Sequence, residues 1–136
     1  MALSYLVDTS VLTRLGATTV ADRLKSMVGV GIARCSVSDL EIGFSARSQQ
    51  EWDKLMKAID VFDLVSVEGH HFSRAGNVQR LLASEGLRGR KVPDLLVAAV
   101  AEERSLTVLH YDADFDHIAS ATGQTVEWVV PRGSID

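Results

Sequence analysis

The stretch Leu3-Ser4-Tyr5-Leu6-Val7-Asp8 decides the fold, because an apolar strand here ends directly in an aspartate. A second apolar stretch, Thr107-Val108-Leu109-His110-Tyr111, ends in the same way at Asp112. Strand-like runs alternate with helical periods along the chain, which predicts an α/β fold whose mostly parallel central sheet is covered by helices on both faces. In such a sheet, ligands bind outside the carboxyl ends of the strands, where residues remote in sequence can meet.

The apolar periods and the turn residues set approximate bounds for each element. Strands are predicted at 3–7, 32–35, 62–67, 107–111 and 126–130. Helices are predicted at 10–15, 19–27, 38–48, 50–59, 70–84, 94–104 and 114–121. The helix at 94–104 is nearly all apolar on its inner turns, so we expect it to be the most buried. The helix at 70–84 is expected to turn Phe72, Ala75, Val78, Leu81 and Leu82 inward.

Length and composition favour one compact domain over residues 1–136, since 46% hydrophobic content is ample for a single core. No apolar run approaches the roughly 20 residues of a membrane span, and no cationic stretch precedes an apolar signal core. We therefore expect a cytoplasmic protein without a membrane partner. The single cysteine, Cys35, excludes an internal disulfide and a cysteine-based zinc cage.

The chain carries a formal net charge of −4, which argues against a protein that coats nucleic acid by bulk electrostatics. It does not exclude nucleic acid as a substrate. A metal site built from acidic residues lowers the net charge while its ion attracts phosphate. An acidic pocket also suits a basic protein partner.

Four acidic residues occupy positions that this fold would bring together: Asp8, Glu41, Asp94 and Asp112. Two follow strands and two open helices, so the carboxyl edge of the sheet can gather all of them. Clustered carboxylates repel one another, and a divalent cation is the simplest way to hold them. An oxygen-only set of ligands suits Mg²⁺ or Mn²⁺, which points to metal-assisted phosphodiester chemistry.

Each carboxylate also has an ordinary structural explanation. Asp8 can cap the following helix, and Ser38 with Glu41 matches the S-x-x-E pattern of a capping box. Asp94 follows Pro93 in a first helical turn, where the macrodipole favours a negative charge. Only the joint placement of the four residues favours a site. In that site we expect Asp8 and Asp94 to bind the metal most directly, with a bound water as the nucleophile.

Several other side chains are assigned on weaker grounds. Residues that could neutralise phosphate are Arg88, Arg90 and Lys91 before Asp94, and Arg14 and Arg47 on helices near the other carboxylates; solvated surface charges are the ordinary alternative. The histidines lack zinc spacing, so no metal role is assigned to His70, His71, His110 or His117. Trp52 and Trp128 are expected in the core.

Four motifs give the chain its resemblance to the PIN-domain ribonucleases, and most closely to the VapC-type toxins of bacterial toxin–antitoxin pairs. They are Tyr5-Leu6-Val7-Asp8-Thr9-Ser10-Val11-Leu12, Ser38-Asp39-Leu40-Glu41, Arg90-Lys91-Val92-Pro93-Asp94-Leu95-Leu96-Val97-Ala98-Ala99 and Leu109-His110-Tyr111-Asp112-Ala113-Asp114-Phe115-Asp116. The resemblance covers nearly the whole chain, and the order of the motifs makes it fairly specific.

The resemblance implies a PIN-like three-layer αβα sandwich and a Mg²⁺- or Mn²⁺-dependent endoribonuclease that forms a homodimer. It also implies a cognate antitoxin whose C-terminal segment occupies the acidic groove, often with an arginine. The family's metal-binding aspartates fall on Asp8 and Asp94, and its other acidic positions on Glu41 and Asp112. Asp114 and Asp116 stand close enough to substitute for Asp112.

Two other functions remain open at this stage. One is a Mg²⁺-dependent phosphotransfer or phosphatase-type α/β domain, although the D-x-D-x-T pattern of aspartyl phosphatases is absent because Ser10 stands at its second aspartate. The other is a catalytically silent binding module of the same fold. Intact acidic positions weigh against the second.

Overall fold

The computed structural model describes residues 2–87 and 91–136, which form a sheet covered by helices. The strands are β1 (Leu3–Val7), β2 (Gly31–Cys35), β3 (Asp63–Val65), β4 (Thr107–His110) and β5 (Val126–Trp128). The helices are α1 (Thr9–Leu12), α2 (Thr18–Ser26), α3 (Ser36–Phe44), α4 (Gln49–Ile59), α5 (Gly69–Ser84), α6 (Val92–Glu103) and α7 (Asp114–Thr122). Within the described ranges, no helix is both long and apolar enough to cross a membrane.

The sheet has the strand order β3-β2-β1-β4-β5, with β1 at its centre. The four pairings between these strands are all parallel, which confirms the predicted α/β class. Two edge strands are shorter than expected: β3 and β5 each span three residues. Short edge strands leave fewer unpaired backbone groups on which another chain could assemble.

Alternate residues of the central strands enter two separate cores, one on each face of the sheet. On β1, Leu6 packs with α5, α6 and α7, whereas Val7 packs with α1, α2 and α4. Val108 and Leu109 of β4 divide in the same way. This period of two, with helices on both sides, produces the predicted three-layer αβα sandwich.

Helix α6 is the most buried helix, as predicted, because eight of its twelve residues are buried. The predicted inner face of α5 is only partly correct. Ala75, Val78 and Leu82 are buried, but Phe72 is 59% exposed and Leu81 is 38% exposed. His71 takes the inward position instead, because it lies four residues before Ala75 and continues the same stripe, whereas Phe72 lies about 100° around the helix.

A buried cation on β2 ties three elements together. Arg34 is 8% exposed and forms an ion pair of 2.8 Å with Asp39 of α3. Its Nη1 group also donates to the carbonyl oxygens of Ile59 and Phe62, which close the turn between α4 and β3. Arg34 therefore fixes the position of α3, the helix that carries Glu41, against the sheet.

Replacement of this cation should be costly. We predict that Arg34→Met lowers the free energy of unfolding by about 3 kcal/mol, because Asp39 and two carbonyl groups lose their partner in a largely desolvated position. Urea unfolding followed by circular dichroism measures the change. Arg23→Met is the matched control, since Arg23 pairs with Glu127 at the surface and should cost less than about 1 kcal/mol. Equal losses in both variants would contradict this role.

Candidate active site

Asp8 and Asp112 meet because they follow neighbouring parallel strands. Val7 of β1 pairs with Leu109 of β4, and the Asp8 backbone N–H donates to the Leu109 carbonyl at 2.9 Å. Asp8 is also the N-cap of α1, where its Oδ2 atom accepts the Ser10 backbone N–H at 2.9 Å. The two aspartates therefore lie at the same carboxyl edge of the sheet, as expected for a ligand site in this fold.

Glu41 reaches this edge from within α3, not from its start. The predicted capping box of Ser38 and Glu41 is wrong, because β2 runs directly into α3, whose first residue is Ser36. Ser38 is fully buried inside the helix. The Thr9 hydroxyl oxygen lies 2.6 Å from Glu41 Oε1 and 2.8 Å from Ser38 Oγ, within hydrogen-bonding distance of both. The S-x-x-E pattern therefore packs against the turn that follows Asp8.

One cavity of about 560 Å³ brings together all four carboxylates that the sequence singled out. Asp94 enters it from the first turn of α6, the buried helix that packs against β1 and β4. The cavity is lined by Asp8, Thr9, Ser10, Thr13, Arg14, Glu41, Lys91, Asp94, Tyr111, Asp112, Ala113, Trp128, Arg132, Gly133 and Asp136. Its lining combines a carboxylate cluster with hydroxyl, basic and aromatic side chains.

Asp8 and Asp94 are nearly sealed from solvent, with exposed fractions of 2% and 4%. Burial and then the charge of Asp8 raise the pKa of Asp94 to about 8, although Lys91 acts in the opposite direction. Burial also raises the pKa of Asp8, in spite of its hydrogen bonding to Ser10. Desolvation and like-charge repulsion both disfavour the ionised pair, so one of these carboxyl groups retains a proton near neutral pH unless a cation is bound.

The donor atoms at this position fit a divalent cation. Asp8 Oδ1 and Asp94 Oδ2 are buried, and neither accepts a hydrogen bond from the described part of the chain. A buried polar atom without a partner costs about 1–3 kcal/mol, so these two oxygens are poorly satisfied by the protein alone. Carboxylate oxygens are hard ligands, the type that Mg²⁺ and Mn²⁺ prefer.

The D-x-D-F-D run contributes its three aspartates in different ways. Asp112 Oδ2 accepts a hydrogen bond of 2.8 Å from Lys91 Nζ, and Oδ1 accepts the Asp114 backbone N–H at 2.9 Å. Burial raises the pKa of Asp112, but these hydrogen bonds outweigh it and the pKa is lowered. Carboxylate oxygens of Asp94, Asp112 and Asp114 lie within 4.8 Å of one another. Asp116 instead accepts from the Trp128 indole at 3.2 Å.

The basic residues are distributed unevenly around the cavity. Lys91 and Arg14 line it, whereas Arg47 lies beyond the end of α3 and pairs with Glu51. The placement of Arg47 on a helix near the carboxylates was therefore wrong, because α3 ends at Phe44 and not near residue 48. Arg88 and Arg90 lie outside the described residues.

Two aromatic residues, Tyr111 and Trp128, and three residues of the segment 131–136 line the cavity without having been predicted to do so; the three are Arg132, Gly133 and Asp136. Trp128 was expected in the core, but it is only partly buried and stacks edge-on against Tyr111 at 5.4 Å between ring centroids. Trp52 is also not a core residue, since 47% of it is exposed. Trp128 ends β5, the neighbour of β4, so its position at the carboxyl edge was the signal that could have identified it.

A second group of possible metal ligands is better explained as a helix cap. Ligand atoms of His70, His71 and Glu103 lie within 4.8 Å of one another. However, His71 Nδ1 accepts the Glu68 backbone N–H at 2.8 Å, which leaves the ring proton on Nε2, where it faces Glu103 at 2.9 Å. A metal would need the lone pair of that nitrogen. The hydrogen bonds therefore favour a structural role for this group.

The chain matches known proteins over almost its full length. The model of the PIN domain family matches residues 5–121. Ribonuclease VapC51 of Mycobacterium tuberculosis is 52% identical to this chain over 137 residues, which cover 100% of both proteins. Ribonuclease VapC21 of the same species is 40% identical and covers 98% of this chain and 99% of its own length.

Solved structures share the fold at much lower sequence identity. DNA-bound VapBC from Salmonella typhimurium contains a chain with a TM-score of 0.78 and 16% identity, covering 95% of this chain and 100% of that one. VapBC2 from Rickettsia felis, bound to a promoter fragment, gives 0.77 and 17%, covering 93% and 98%. With the family match and the close relatives, these similarities show that the chain belongs to the PIN-domain family and, within it, to the VapC group.

Proposed function

We propose that this protein is an endoribonuclease toxin that hydrolyses RNA phosphodiester bonds with a bound Mg²⁺ or Mn²⁺ ion. The observation that carries the proposal is that two residues lining one cavity, Asp8 and Asp94, each have a buried carboxylate oxygen without a hydrogen-bond partner among the described residues, Oδ1 and Oδ2 respectively. A hard cation would satisfy both, and an ion held by carboxylates commonly binds and polarises the phosphoryl oxygens of a substrate.

The names of the relatives support RNA as the substrate. Proteins that are 52% and 40% identical over nearly the whole chain are called ribonucleases. The net charge of −4 is compatible with this substrate, because a cation in the carboxylate cluster presents positive charge where the phosphate binds. Because the proposed substrate is RNA, we also propose that the protein is located in the cytoplasm.

We assign Asp8 and Asp94 as the most direct ligands, with Glu41 and Asp112 completing the site through the ion or its waters. Thr9 holds the Glu41 carboxylate at 2.6 Å, and Lys91 holds Asp112 at 2.8 Å, so both are oriented before the substrate arrives. When bound, the cation would lower the pKa of a coordinated water and stabilise charge on the phosphoryl oxygens. Lys91 Nζ lies 3.8 Å from Asp94 and offsets part of the remaining negative charge.

The surface beside the cavity supports a protein partner, which we propose is a cognate antitoxin. On α3, Leu40 is 77% exposed and Phe44 is 92% exposed, and with Val37 they line an apolar groove that Glu41 also borders. Apolar surface next to a carboxylate cluster suits a segment with apolar side chains and an arginine. The fold is shared with chains of VapBC complexes, one of which is described as a toxin–antitoxin system. We also propose that the protein forms a homodimer.

The metal mechanism predicts which substitutions abolish cleavage. Asp8→Asn and Asp94→Asn should each reduce Mg²⁺-dependent cleavage of total RNA by about a hundredfold or more, because each removes a charged ligand of the ion. Gel analysis of RNA incubated with Mg²⁺, Mn²⁺ or EDTA measures this, and circular dichroism checks folding. Asp53→Asn, an exposed change on α4, is the control. Cleavage that persists in EDTA, or that stays near the wild-type rate in either variant, would contradict the mechanism, and an acid-stable aspartyl phosphate would indicate a phosphatase instead.

The raised pKa of Asp94 predicts a dependence of stability on pH in the metal-free protein. Between the ordinary value of 3.8 and about 8, the folded protein retains a proton that the unfolded chain has lost. Raising the pH through this window therefore favours unfolding. We expect the free energy of unfolding of the wild type to fall relative to Asp94→Asn as pH rises, and Mg²⁺ to suppress the fall by binding the deprotonated form. Urea titrations of both proteins at several pH values test this; parallel curves would contradict it.

The apolar groove predicts a variant that separates inhibition from catalysis. Phe44→Ser should weaken binding of the antitoxin encoded beside the toxin gene by about tenfold or more, because a largely exposed aromatic side chain is the type that anchors an interface. Isothermal titration with purified antitoxin measures the affinity, and RNA cleavage by the free variant should persist. Val61→Ser, which is 79% exposed after α4, is the control. If Phe44→Ser instead dissociates a homodimer in sedimentation experiments, the groove belongs to that interface.

A further inference from the structure

The segment 131–136, which follows β5, returns to the cavity and is held there by one hydroxyl group. Tyr111 Oη accepts the backbone N–H groups of Gly133 at 3.1 Å and Ile135 at 3.2 Å, and it donates to the Ile135 carbonyl at 2.6 Å. Ile135 packs against the core on the same face of the sheet as Val7. This arrangement places the Asp136 side chain in the cavity lining.

The Asp136 carboxylate forms an ion pair with the guanidinium group of Arg14. Arg14 Nε lies 3.2 Å from both carboxylate oxygens of Asp136, and Nη2 donates to Oδ2 at 2.9 Å. This two-pronged geometry is the one in which arginine binds either a carboxylate or a phosphate. A phosphate group presents the same pair of acceptor oxygens, so it can replace Asp136 without a new arginine conformation.

Arg14 is held in place independently of Asp136. Its Nη1 group donates to the Ser10 carbonyl at 2.8 Å, and its guanidinium carbon lies 5.0 Å from the centre of the Tyr111 ring. The Arg14 side chain is 28% exposed, whereas that of Asp136 is 59% exposed. The cation is therefore the fixed member of the pair, and the carboxylate is the member that solvent and ligands reach more easily.

Ser10 connects Arg14 to the carboxylate cluster. The backbone N–H of Ser10 donates to Asp8 Oδ2, while the carbonyl of Ser10 accepts from Arg14. Asp8 of the proposed cation site and the Arg14 guanidinium group are thus fixed by the same turn of the chain, and both line the same cavity. A polyanion bound at the first would bring a neighbouring phosphate to the second.

The partners of the other cations in the cavity differ from that of Arg14. Lys91 pairs with Asp112, which belongs to the proposed metal site, and Arg132 lies over the Trp128 ring at 5.7 Å. Of these three described cations, only Arg14 is paired with a carboxylate that does not belong to the proposed metal site. An additional carboxylate in a cavity that receives a polyanion opposes binding unless it leaves.

We propose that Arg14 binds a phosphate of the RNA that flanks the scissile one, and that Asp136 occupies this phosphate subsite in the free protein. RNA binding then requires that a phosphate replaces the Asp136 carboxylate on Arg14. Residues 131–136, which hold Asp136 in place, therefore compete with RNA for this subsite. This inference rests on the proposed function for the identity of the polyanion. The chemistry of the subsite itself rests on the Arg14 geometry alone.

A double-mutant cycle on RNA affinity tests the exchange. All proteins carry Asp94→Asn to prevent cleavage, and the probe is a short fluorescein-labelled single-stranded RNA of mixed sequence, followed by anisotropy. Arg14→Gln should raise Kd by about tenfold, the loss of one charged hydrogen-bonding partner. Asp136→Asn should lower Kd several-fold, and this gain should disappear in the Arg14→Gln background.

The controls separate the subsite from general electrostatics. Arg47→Gln and Asp53→Asn change the same charges at exposed positions outside the cavity lining and should leave Kd nearly unchanged. A gain from Asp136→Asn that persists without Arg14 would mean that charge alone is responsible, and it would overturn the proposal. An unchanged Kd in Asp136→Asn would also overturn it.

A second measurement does not depend on RNA. Inorganic phosphate is titrated into the otherwise unmodified protein in EDTA while the backbone amide signals of Gly133 and Ile135 are followed by NMR. Exchange at Arg14 predicts shifts of both signals that saturate in the wild type and are lost in Arg14→Gln. If the protein neither binds nor cleaves RNA, the proposed function fails, and this titration still decides whether the subsite exists. Signals that do not respond to phosphate would refute it.

Discussion

The desolvation of two carboxyl groups, Asp8 and Asp94, is the constraint on which the rest of the site depends. The centre of a parallel sheet and the start of its most buried helix converge on them, so both are withdrawn from water. A buried carboxylate is costly unless it is protonated, hydrogen-bonded or bound to a cation. Burial raises the pKa of both groups, that of Asp94 to about 8, so the metal-free protein meets part of this cost with a proton on one of them. In the proposed function a cation replaces the proton, so binding of the metal relieves the cost of burying these carboxylates and stabilises the fold.

The structural and functional roles of these carboxylates turn out to be compatible. From sequence, the N-cap role of Asp8 and its role in a site appeared as alternatives. In the structure one side chain can serve both, because Oδ2 caps α1 while Oδ1 has no hydrogen-bond partner among the described residues and is left for the proposed cation. Asp94 likewise lies in the first turn of α6, where the helix dipole favours its charge. A carboxylate at the start of a helix on the sheet edge is therefore held with little backbone freedom. In the case of Asp8, the same side chain serves the helix cap and the proposed site.

Sequence patterns predicted most of the fold and the four carboxylates of the cavity, but not most of its other lining residues or its local contacts. Strand periods identified β1, β2 and β4, and their parallel order placed Asp8 and Asp112 at one edge. The S-x-x-E pattern was misread, because local capping rules do not indicate that a strand can enter a helix without a loop, as it does at Ser36. The environment of Trp128 was missed for a different reason. Whether an aromatic residue faces a core or a cavity depends on which strands are neighbours. The sequence does not indicate that β5 pairs with β4, which places Trp128 beside the residues that follow β4.

The net negative charge of the chain gives little information about its affinity for a polyanion, because each described cation of the cavity already has a partner. Lys91 neutralises Asp112, Arg14 neutralises Asp136, and Arg132 lies over Trp128. An arriving phosphate therefore gains less from free positive charge than from replacing an existing anion or joining a bound cation. In such an exchange the rehydration of the released carboxylate offsets part of the desolvation cost of the phosphate, because one oxyanion takes the position of another. Selectivity in this cavity then depends on geometry, namely the spacing between the carboxylate cluster and Arg14, more than on total charge.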